Sequence, residues 1–214
     1  MQKLSRGKNG AMIKLQGKIP KKVFLACSGG VDSMVALDFL RRKHDVTVLH
    51  FNHGTAHGEK AERWIIDYCN TQGIQYICDR VKETIPPGRS REEWWRDKRY
   101  RFFDSYPGYP IITAHHLDDC VETWVWSSMH GTGKIIPYRR NHIIRPFRLN
   151  RKRDLELWAA MKNVPFIQDE SNEDIHYTRN YIRHEMMPTV LKVNPGIHKV
   201  IAKKVRDDDT IKTD

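Results

Sequence analysis

Short apolar runs alternate with helical patterns along the first half of the chain, and this alternation constrains the fold most strongly. The runs predict strands at 23–27, 46–51, 76–81 and 111–114. The patterns between them predict helices at 33–43, 59–71 and 91–104. Strands that alternate with helices form parallel βαβ units with right-handed crossovers. We therefore expect an α/β fold, in which helices flank a doubly wound, mainly parallel sheet.

The length of 214 residues allows one substantial core with a small extension. We expect a basic N-terminal arm at 1–21, the α/β domain at 22–145 and a small helical C-terminal extension at 146–214. The extension contains predicted helices at 151–162 and 177–191. The arm is open to three interpretations: an extension that contacts RNA, a solvated tail, or an organelle transit peptide.

The charge of the chain points to a polyanionic partner. Lys and Arg number 37 against 26 Asp and Glu, which gives a net charge of +11 and favours nucleic acid. Between 134 and 153 there is no acidic residue and a run of bases: Lys134, Arg139, Arg140, Arg145, Arg148, Arg151, Lys152 and Arg153.

Two classes of protein are disfavoured by composition. No apolar run reaches the roughly 18 residues that span a bilayer, and no cleavable leader is visible, so we expect a soluble, intracellular protein without membrane association. The four cysteines form no C-x-x-C pair, so they do not suggest a zinc or iron–sulfur site, and we expect reduced thiols: Cys27, Cys69, Cys78 and Cys120.

Three polar motifs follow predicted strands: "SGGVDS" at 28–33, "NHG" at 52–54 and "HHLDD" at 115–119. Ligands of doubly wound sheets bind at the carboxyl ends of the strands, so the three motifs predict one shared site. In "SGGVDS" the glycines allow a tight turn whose N–H groups, with the following helix N-terminus, form an anion nest. The lysine of a Walker A loop is missing, and because Asp32 would repel bare phosphate, we expect Mg²⁺ beside it. A simple helix cap is the alternative.

The loop "SGGVDS" resembles the PP-loop of the N-type ATP pyrophosphatases, which transfer AMP from ATP to a substrate oxygen. This family includes GMP synthetases, tRNA thiolases and tRNA(Ile)-lysidine synthetases. The resemblance implies the adenine nucleotide alpha-hydrolase-like fold, with 22–145 as the ATP-binding domain.

Further motifs resemble those of the lysidine synthetases in particular. "HHLDDCVET" at 115–123 is similar to their HHxDDxxET pattern, and the helix with Glu92, Arg96, Arg99 and Tyr100 is similar to their ExxxRxxRY pattern. "RPF" at 145–147 and "DESNEDIHYTRNYIRHEMMP" at 169–188 match two later signatures. The resemblance covers about 23–196, in the expected order.

This resemblance implies a ligase acting on tRNA in a bacterial cytoplasm, encoded by the bacterium or by a virus. ATP would adenylate the C2 oxygen of cytidine 34 in the CAU anticodon of a minor isoleucine tRNA. Free L-lysine would then displace AMP to form lysidine. The implied cofactors are ATP and Mg²⁺, the partners are this tRNA and lysine, and a homodimer is left open.

Site residues follow from the matched motifs and from their spacing. Asp119 and Glu122 share a helix face, as do Arg179 and Arg183. For catalysis we expect Asp32, Arg96, Asp119 and Glu122, with Mg²⁺ on Asp32 and Asp119. For ATP binding we expect Ser28, Gly29, Gly30, Val31, Asp32, Ser33, His53 and His115. For tRNA binding we expect Arg145, Arg148, Arg151, Lys152, Arg179 and Arg183.

Plainer roles compete with several of these assignments. Asp118 and Asp119 could simply complement a helix N-terminus, His53, His115 and His116 could be packed histidines, and Arg96 could be a solvated surface residue. Lysidine synthetases usually continue into further C-terminal domains, so the basic arm and the 134–153 cluster would compensate here, or tRNA recognition would be looser. Cys120 and the missing arginine after "NHG" are smaller departures. A tRNA thiolase, a GMP synthetase-like enzyme and a non-catalytic tRNA-binding module are the alternative functions.

Overall fold

The computed structural model describes residues 13–168 and 174–208. The strands are β1 Lys22–Ala26, β2 Asp45–Asn52, β3 Tyr76–Arg80, β4 Ile111–Ile112, β5 Arg139–Arg140 and β6 Ile143–Ile144. The helices are α1 Val31–Leu40, α2 Ala56–Gln72, α3 Arg91–Asp104, α4 Leu117–Met129, α5 Lys152–Lys162, α6 Thr178–Tyr181, α7 Met187–Val193 and α8 Ile197–Arg206, with a π-helical turn at Ile182–Met186 between α6 and α7.

The strands form one sheet in the order β3-β2-β1-β4-β6-β5. All neighbouring pairs are parallel except β5 and β6, which form a short antiparallel edge. The strand order reverses at β1, which lies between β2 and β4, so the crevice expected to hold a ligand lies at the carboxyl ends of β1 and β4. The predicted doubly wound, mainly parallel α/β fold is confirmed.

Helices cover both faces of this sheet. Successive residues of a strand point to opposite faces, and in β2 Val48 packs into a core with α1 and α5, whereas Leu49 packs with Phe102 and Phe103 of α3. Helix α1 is buried around most of its circumference because it lies between the sheet and α5. Because α1 is held by this packing, the loop that precedes it is held in position as well.

The C-terminal helices build a second core around α4. Leu117, Val121 and Val125 of α4 pack with residues of α8 that include Ile201 and Val205. Helix α8 was not among the predicted helices, although its apolar residues recur at helical spacing. The packing shows no break at the expected boundary of 145, since Phe147 and Leu155 belong to the same core as β1 and α1.

The expected single helix over 177–191 is divided in the structure. Pro188 has no N–H group, so it cannot donate to the carbonyl of His184, and the chain widens into the π turn just before α7. Within the described part of the arm, Ile13 is buried and Gln16 donates from its backbone to the Pro146 carbonyl at 2.9 Å. Residues 1–12 and 169–173, which carry parts of the arm and of the last signature, lie outside the described residues.

Two observations concern membrane-spanning helices and the cysteines. In the described ranges no helix is both long and apolar enough to cross a bilayer. All four cysteines are free thiols, and burial raises the pKa of Cys120 to about 12.

Candidate active site

The loop after β1 is a tight turn that only glycine accommodates at Gly29. Its φ is +86°, and a Cβ there would lie 3.0 Å from Cδ1 of Ile167. Gly30 precedes α1, whose first residues are Val31 and Asp32. Ser33 closes the turn, because its Oγ accepts from the Ser28 N–H at 3.2 Å and donates to the Gly30 carbonyl at 2.9 Å. The expected ATP-binding residues of this loop therefore form one compact nest at a helix N-terminus.

A distant segment of the chain holds the nest at two points. The N–H of Ile167 donates to the Gly29 carbonyl at 3.0 Å. At the other end of α5, Lys152 Nζ lies 2.8 Å from both carboxylate oxygens of Asp32. Lys152, expected on the RNA surface, thus lies at the phosphate loop.

His116 joins the nest to the motif after β4. It precedes α4 and forms a reciprocal cap with Asp119: the His116 N–H donates to Asp119 Oδ2 at 2.9 Å, and the Asp119 N–H donates to His116 Nδ1 at 3.3 Å. The other ring nitrogen of His116 lies 3.9 Å from Asp32 Oδ2 and 3.6 Å from Asp119 Oδ1. Asp119 therefore caps the helix with one oxygen and faces the site with the other.

Two buried carboxylates meet two arginines beside this cap. Asp119 Oδ1 accepts from Arg179 at 2.6 Å, and Glu122 accepts from Arg183 at 2.8 and 3.0 Å. Burial raises the pKa of Asp119, but its interactions with the His116 ring and with the Arg179 guanidinium outweigh burial and hold that pKa well below its usual range. The two residue pairs expected from spacing thus face each other, with the carboxylates on α4 and the arginines on α6 and the π turn that follows it. Arg179 remains half exposed, so a ligand can reach it.

Asp118 ties three helices together at the edge of the site. It accepts from Arg151 Nε at 3.2 Å and from the Lys152 N–H at 2.8 Å, and His198 Nε2 of α8 lies 3.1 Å away. Burial raises the pKa of Asp118, but these partners hold it well below its usual range. His198 was not predicted to have a role; the helical spacing of the apolar residues in α8 was the signal available for placing it.

Arg145 and Arg148 are corrections to the expected tRNA surface. Arg148 is fully buried and donates to Asp208 at 2.6 Å, and Arg145 is 3% exposed and donates to the Pro137 carbonyl and to Tyr100 Oη. In this conformation neither guanidinium can reach RNA phosphate.

Helix α3 and the strand ends supply an aromatic and cationic wall. His53 packs against Trp95 with ring centres 5.2 Å apart, and burial together with Arg99 lowers the pKa of His53 to about 4. Burial lowers the pKa of His115 to about 3, so both histidines are neutral at pH 7. This environment matches the alternative in which both residues are packed histidines.

Arg96 and Arg99 differ in position although one motif carries both. Arg96 is exposed and stacks over the Tyr100 ring at 5.7 Å, as the solvated alternative anticipated. Burial lowers the pKa of Arg99, and the positive charge of Arg179 lowers it further, so Arg99 lies within electrostatic range of Arg179. Arg99 is therefore a cation of this site to which no catalytic role was assigned from the sequence.

The donor set fits one magnesium ion held together with a substrate. Asp32 and Asp119 face the same nitrogen of His116, whereas no group of three or more metal-ligating side chains converges within 13–168 and 174–208. Proteins commonly bind Mg²⁺ through one or two carboxylates plus substrate phosphates and water. Two carboxylates beside an anion nest match that mode better than an all-protein cage.

Curated proteins similar to this chain carry the name tRNA(Ile)-lysidine synthase. One from Francisella philomiragia is 29% identical over 95% of this chain and 54% of its own length. Those from Thermotoga sp. strain RQ2 and Thermotoga maritima are 32% and 31% identical, each over 86% of this chain and 48% of their own length. The chain thus spans about half the length of the curated relatives it matches.

Solved structures similar to this one include the NH3-dependent NAD synthetase of Campylobacter jejuni, at 15% identity and a TM-score of 0.47 over 91% of this chain and 88% of that one. The NMN synthetase of Francisella tularensis matches at 12% identity and the same TM-score, over 71% and 63%. The family model described as the PP-loop domain matches residues 6–190, which include the nest, the His116 cap and both arginines. This chain belongs to the PP-loop domain family.

Proposed function

We propose that the chain catalyses ATP-dependent ligation of lysine to C2 of cytidine 34 in the CAU anticodon of an isoleucine tRNA, in a bacterial cytoplasm. One observation carries the proposal: the nest after β1, the carboxylates of α4 and the arginines of α6 and the π turn meet at the switch point of the sheet. The names of the relatives agree with it.

ATP binds with its phosphates in the nest. The backbone N–H groups around Gly29 and Gly30, with the N-terminal dipole of α1, attract the phosphate oxygens. Asp32 and Asp119 hold Mg²⁺, which when bound neutralises part of the triphosphate charge. The neutral rings of His53 and His115 contribute an uncharged wall beside the nucleotide.

The first step transfers AMP to the RNA. The C2 oxygen of cytidine 34 attacks the α-phosphorus, and the bond from that phosphorus to the bridging oxygen of pyrophosphate breaks. Negative charge builds on the leaving group, and guanidinium forks are suited to stabilise it. Arg96 is the expected group; Arg179 donates to Asp119, and Arg99 lies within electrostatic range of Arg179.

The second step forms the new carbon–nitrogen bond. The ε-amine of lysine attacks C2, and the bond between C2 and the oxygen that carries AMP breaks. The ammonium has an ordinary pKa of about 10.4, so it must lose a proton first. Glu122 is our candidate for binding the ammonium and accepting that proton, and to do so it must exchange its pairing with Arg183.

The tRNA is held by the cations that remain accessible. Arg151, Arg179 and Arg183 are partly exposed at the edge of the site. Arg145 and Arg148 drop out of this set because they are buried.

Incorporation of labelled lysine into a transcript of the tRNA tests the proposal. Label should require ATP and Mg²⁺ and should vanish when cytidine 34 is replaced by uridine. Glu122→Gln should lower incorporation at least about 100-fold, since it removes a group that acts in the proton transfer, while Glu156→Gln on the outer face of α5 should leave it unchanged. Incorporation that does not depend on ATP, or no incorporation by the wild type, would refute the ligase.

A further inference from the structure

The nest lacks a lysine in its own sequence, yet the structure brings one to it. Lys152 lies 120 positions after Asp32, and its ammonium is 2.8 Å from both oxygens of that carboxylate. In the Walker A loop the lysine follows the glycines directly and reaches the β- and γ-phosphates. The ammonium of Lys152 occupies a comparable place beside the phosphate nest by a different route.

The backbone of Lys152 is fixed at this position. It is the first residue of α5, and its N–H donates to Asp118 Oδ2 at 2.8 Å. Farther along α5, Trp158 Nε1 donates to Asp38 of α1 at 2.9 Å, and the Trp158 ring packs on Phe39. Because α1 begins at the nest, these contacts fix α5 relative to the loop. One is made by the first residue of α5 and the other by Trp158 farther along the helix.

The side chain itself can be reached by a ligand. About a third of it is exposed (36%), in contrast to Arg148 in the core. The positive charge of Lys152 neutralises the negative charge of Asp32. A divalent cation on Asp32 would repel the ammonium, and phosphate oxygens arriving with that cation would offer it a new partner.

We propose that Lys152 is the phosphate-binding lysine of this loop, which moves from Asp32 to the β- and γ-phosphoryl oxygens of ATP and stays with the pyrophosphate after cleavage. This inference rests on the proposed use of ATP and assigns the residue to the leaving group. RNA phosphate has the same chemistry, but the pairing with a residue of the nest favours pyrophosphate.

Binding measurements without tRNA and lysine test the inference apart from the ligase reaction. Calorimetry in Mg²⁺ would compare wild type with Lys152→Met, which keeps the length of the stem, with Lys152→Arg, which keeps the charge, and with Arg153→Ala as a matched loss of charge on the same turn. Lys152→Met should weaken ATP and pyrophosphate about 10- to 100-fold, the usual effect of losing one charge-assisted contact, and leave AMP within about twofold. Lys152→Arg should recover part of the loss, and Arg153→Ala should match the wild type.

A second measurement uses the unaltered protein. The Nζ resonance of Lys152 should shift when pyrophosphate is added in Mg²⁺ and should not shift with AMP. Unchanged or tighter pyrophosphate binding by Lys152→Met would overturn the inference, because the ammonium would then only neutralise Asp32. An equal loss of affinity for AMP would also overturn the inference. A loss of affinity confined to tRNA would do the same, as would failure of the wild type to bind ATP and pyrophosphate. If wild type and variants bind ATP and pyrophosphate as expected but the wild type forms no lysidine, the ligase function is refuted and the assignment of Lys152 to the pyrophosphate is supported.

Discussion

Asp208→Ala should destabilise the protein strongly, because it leaves the charge of Arg148 buried without its carboxylate. Arg148 is fully buried, and its Nη1 donates to Asp208 Oδ2 at 2.6 Å and to the Ile136 carbonyl at 2.7 Å. The same Asp208 oxygen accepts from the Tyr138 N–H at 2.7 Å. The substitution therefore removes one ion pair and one backbone hydrogen bond from the junction between α8 and the β5–β6 edge.

The magnitude follows from the burial of the pair. Removing one partner of a buried ion pair costs about 3–5 kcal/mol. For a chain of this size each kcal/mol lowers Tm by roughly 2–4 °C, so the expected loss is about 6–20 °C. The double variant Arg148→Met with Asp208→Asn should cost less than the sum of the single variants, because it removes the charge together with its partner and retains an acceptor for the Tyr138 N–H.

Urea unfolding followed by circular dichroism measures these free energies at pH 7. Asp207→Ala, at the exposed neighbouring position, is the control and should change stability by less than about 0.5 kcal/mol. A loss below about 1 kcal/mol for Asp208→Ala would refute the reasoning. So would Arg148→Met if it weakened tRNA binding while leaving stability unchanged, since the guanidinium would then serve RNA.

Three further predictions concern the site. Gly29→Ala should lower the free energy of unfolding by about 1–3 kcal/mol and weaken ATP binding. Gly54→Ala should have a smaller effect, because Gly54 has a similar φ of +76° but open space around it. Thermal unfolding and calorimetry compare the two variants. Burial lowers the pKa of His115 to about 3, below its unfolded value, so its contribution to stability is present above about pH 6.5 and is lost as pH falls towards 3. His115→Asn should reduce this pH dependence of the free energy of unfolding. An ordinary pKa for the His115 ring, measured by NMR, would contradict the prediction. The pKa of Asp118 is depressed, so its share is present above about pH 4 and is lost below; Asp118→Asn should unfold at a higher pH in an acid titration, and an unchanged midpoint would exclude this role.

Local patterns predicted what local forces determine. Strands β1 to β4 and helices α1 to α3 follow from apolar spacing and differ from expectation by a few residues at their ends, whereas the short strands β5 and β6 were not predicted. The nest follows from glycines that permit a positive φ at a strand end. The helical spacing of Arg179 and Arg183 placed them on one face, and the structure adds that Asp119 and Glu122 lie opposite.

The misplaced cations depended on distant neighbours. A run of bases without acids looks like an RNA surface, but Asp208, 60 positions later, neutralises Arg148 inside the core. Asp32 likewise pairs with Lys152, 120 positions later, and so directs its ammonium to the phosphate loop. Such pairings are set by how α5 and α8 pack, and residue spacing does not encode them.

The hydrogen bond from Ile167 to the Gly29 carbonyl means that the conformation of the phosphate loop depends on a distant segment of the chain. A fragment that ended near residue 145 would keep every letter of "SGGVDS" and lose both of the anchors that α5 and its following segment provide. Grafting the six letters onto another strand–helix junction would carry the glycines across without the clamp. For this molecule, transplanting the nucleotide site means moving the stretch from Lys152 to Ile167 along with the loop.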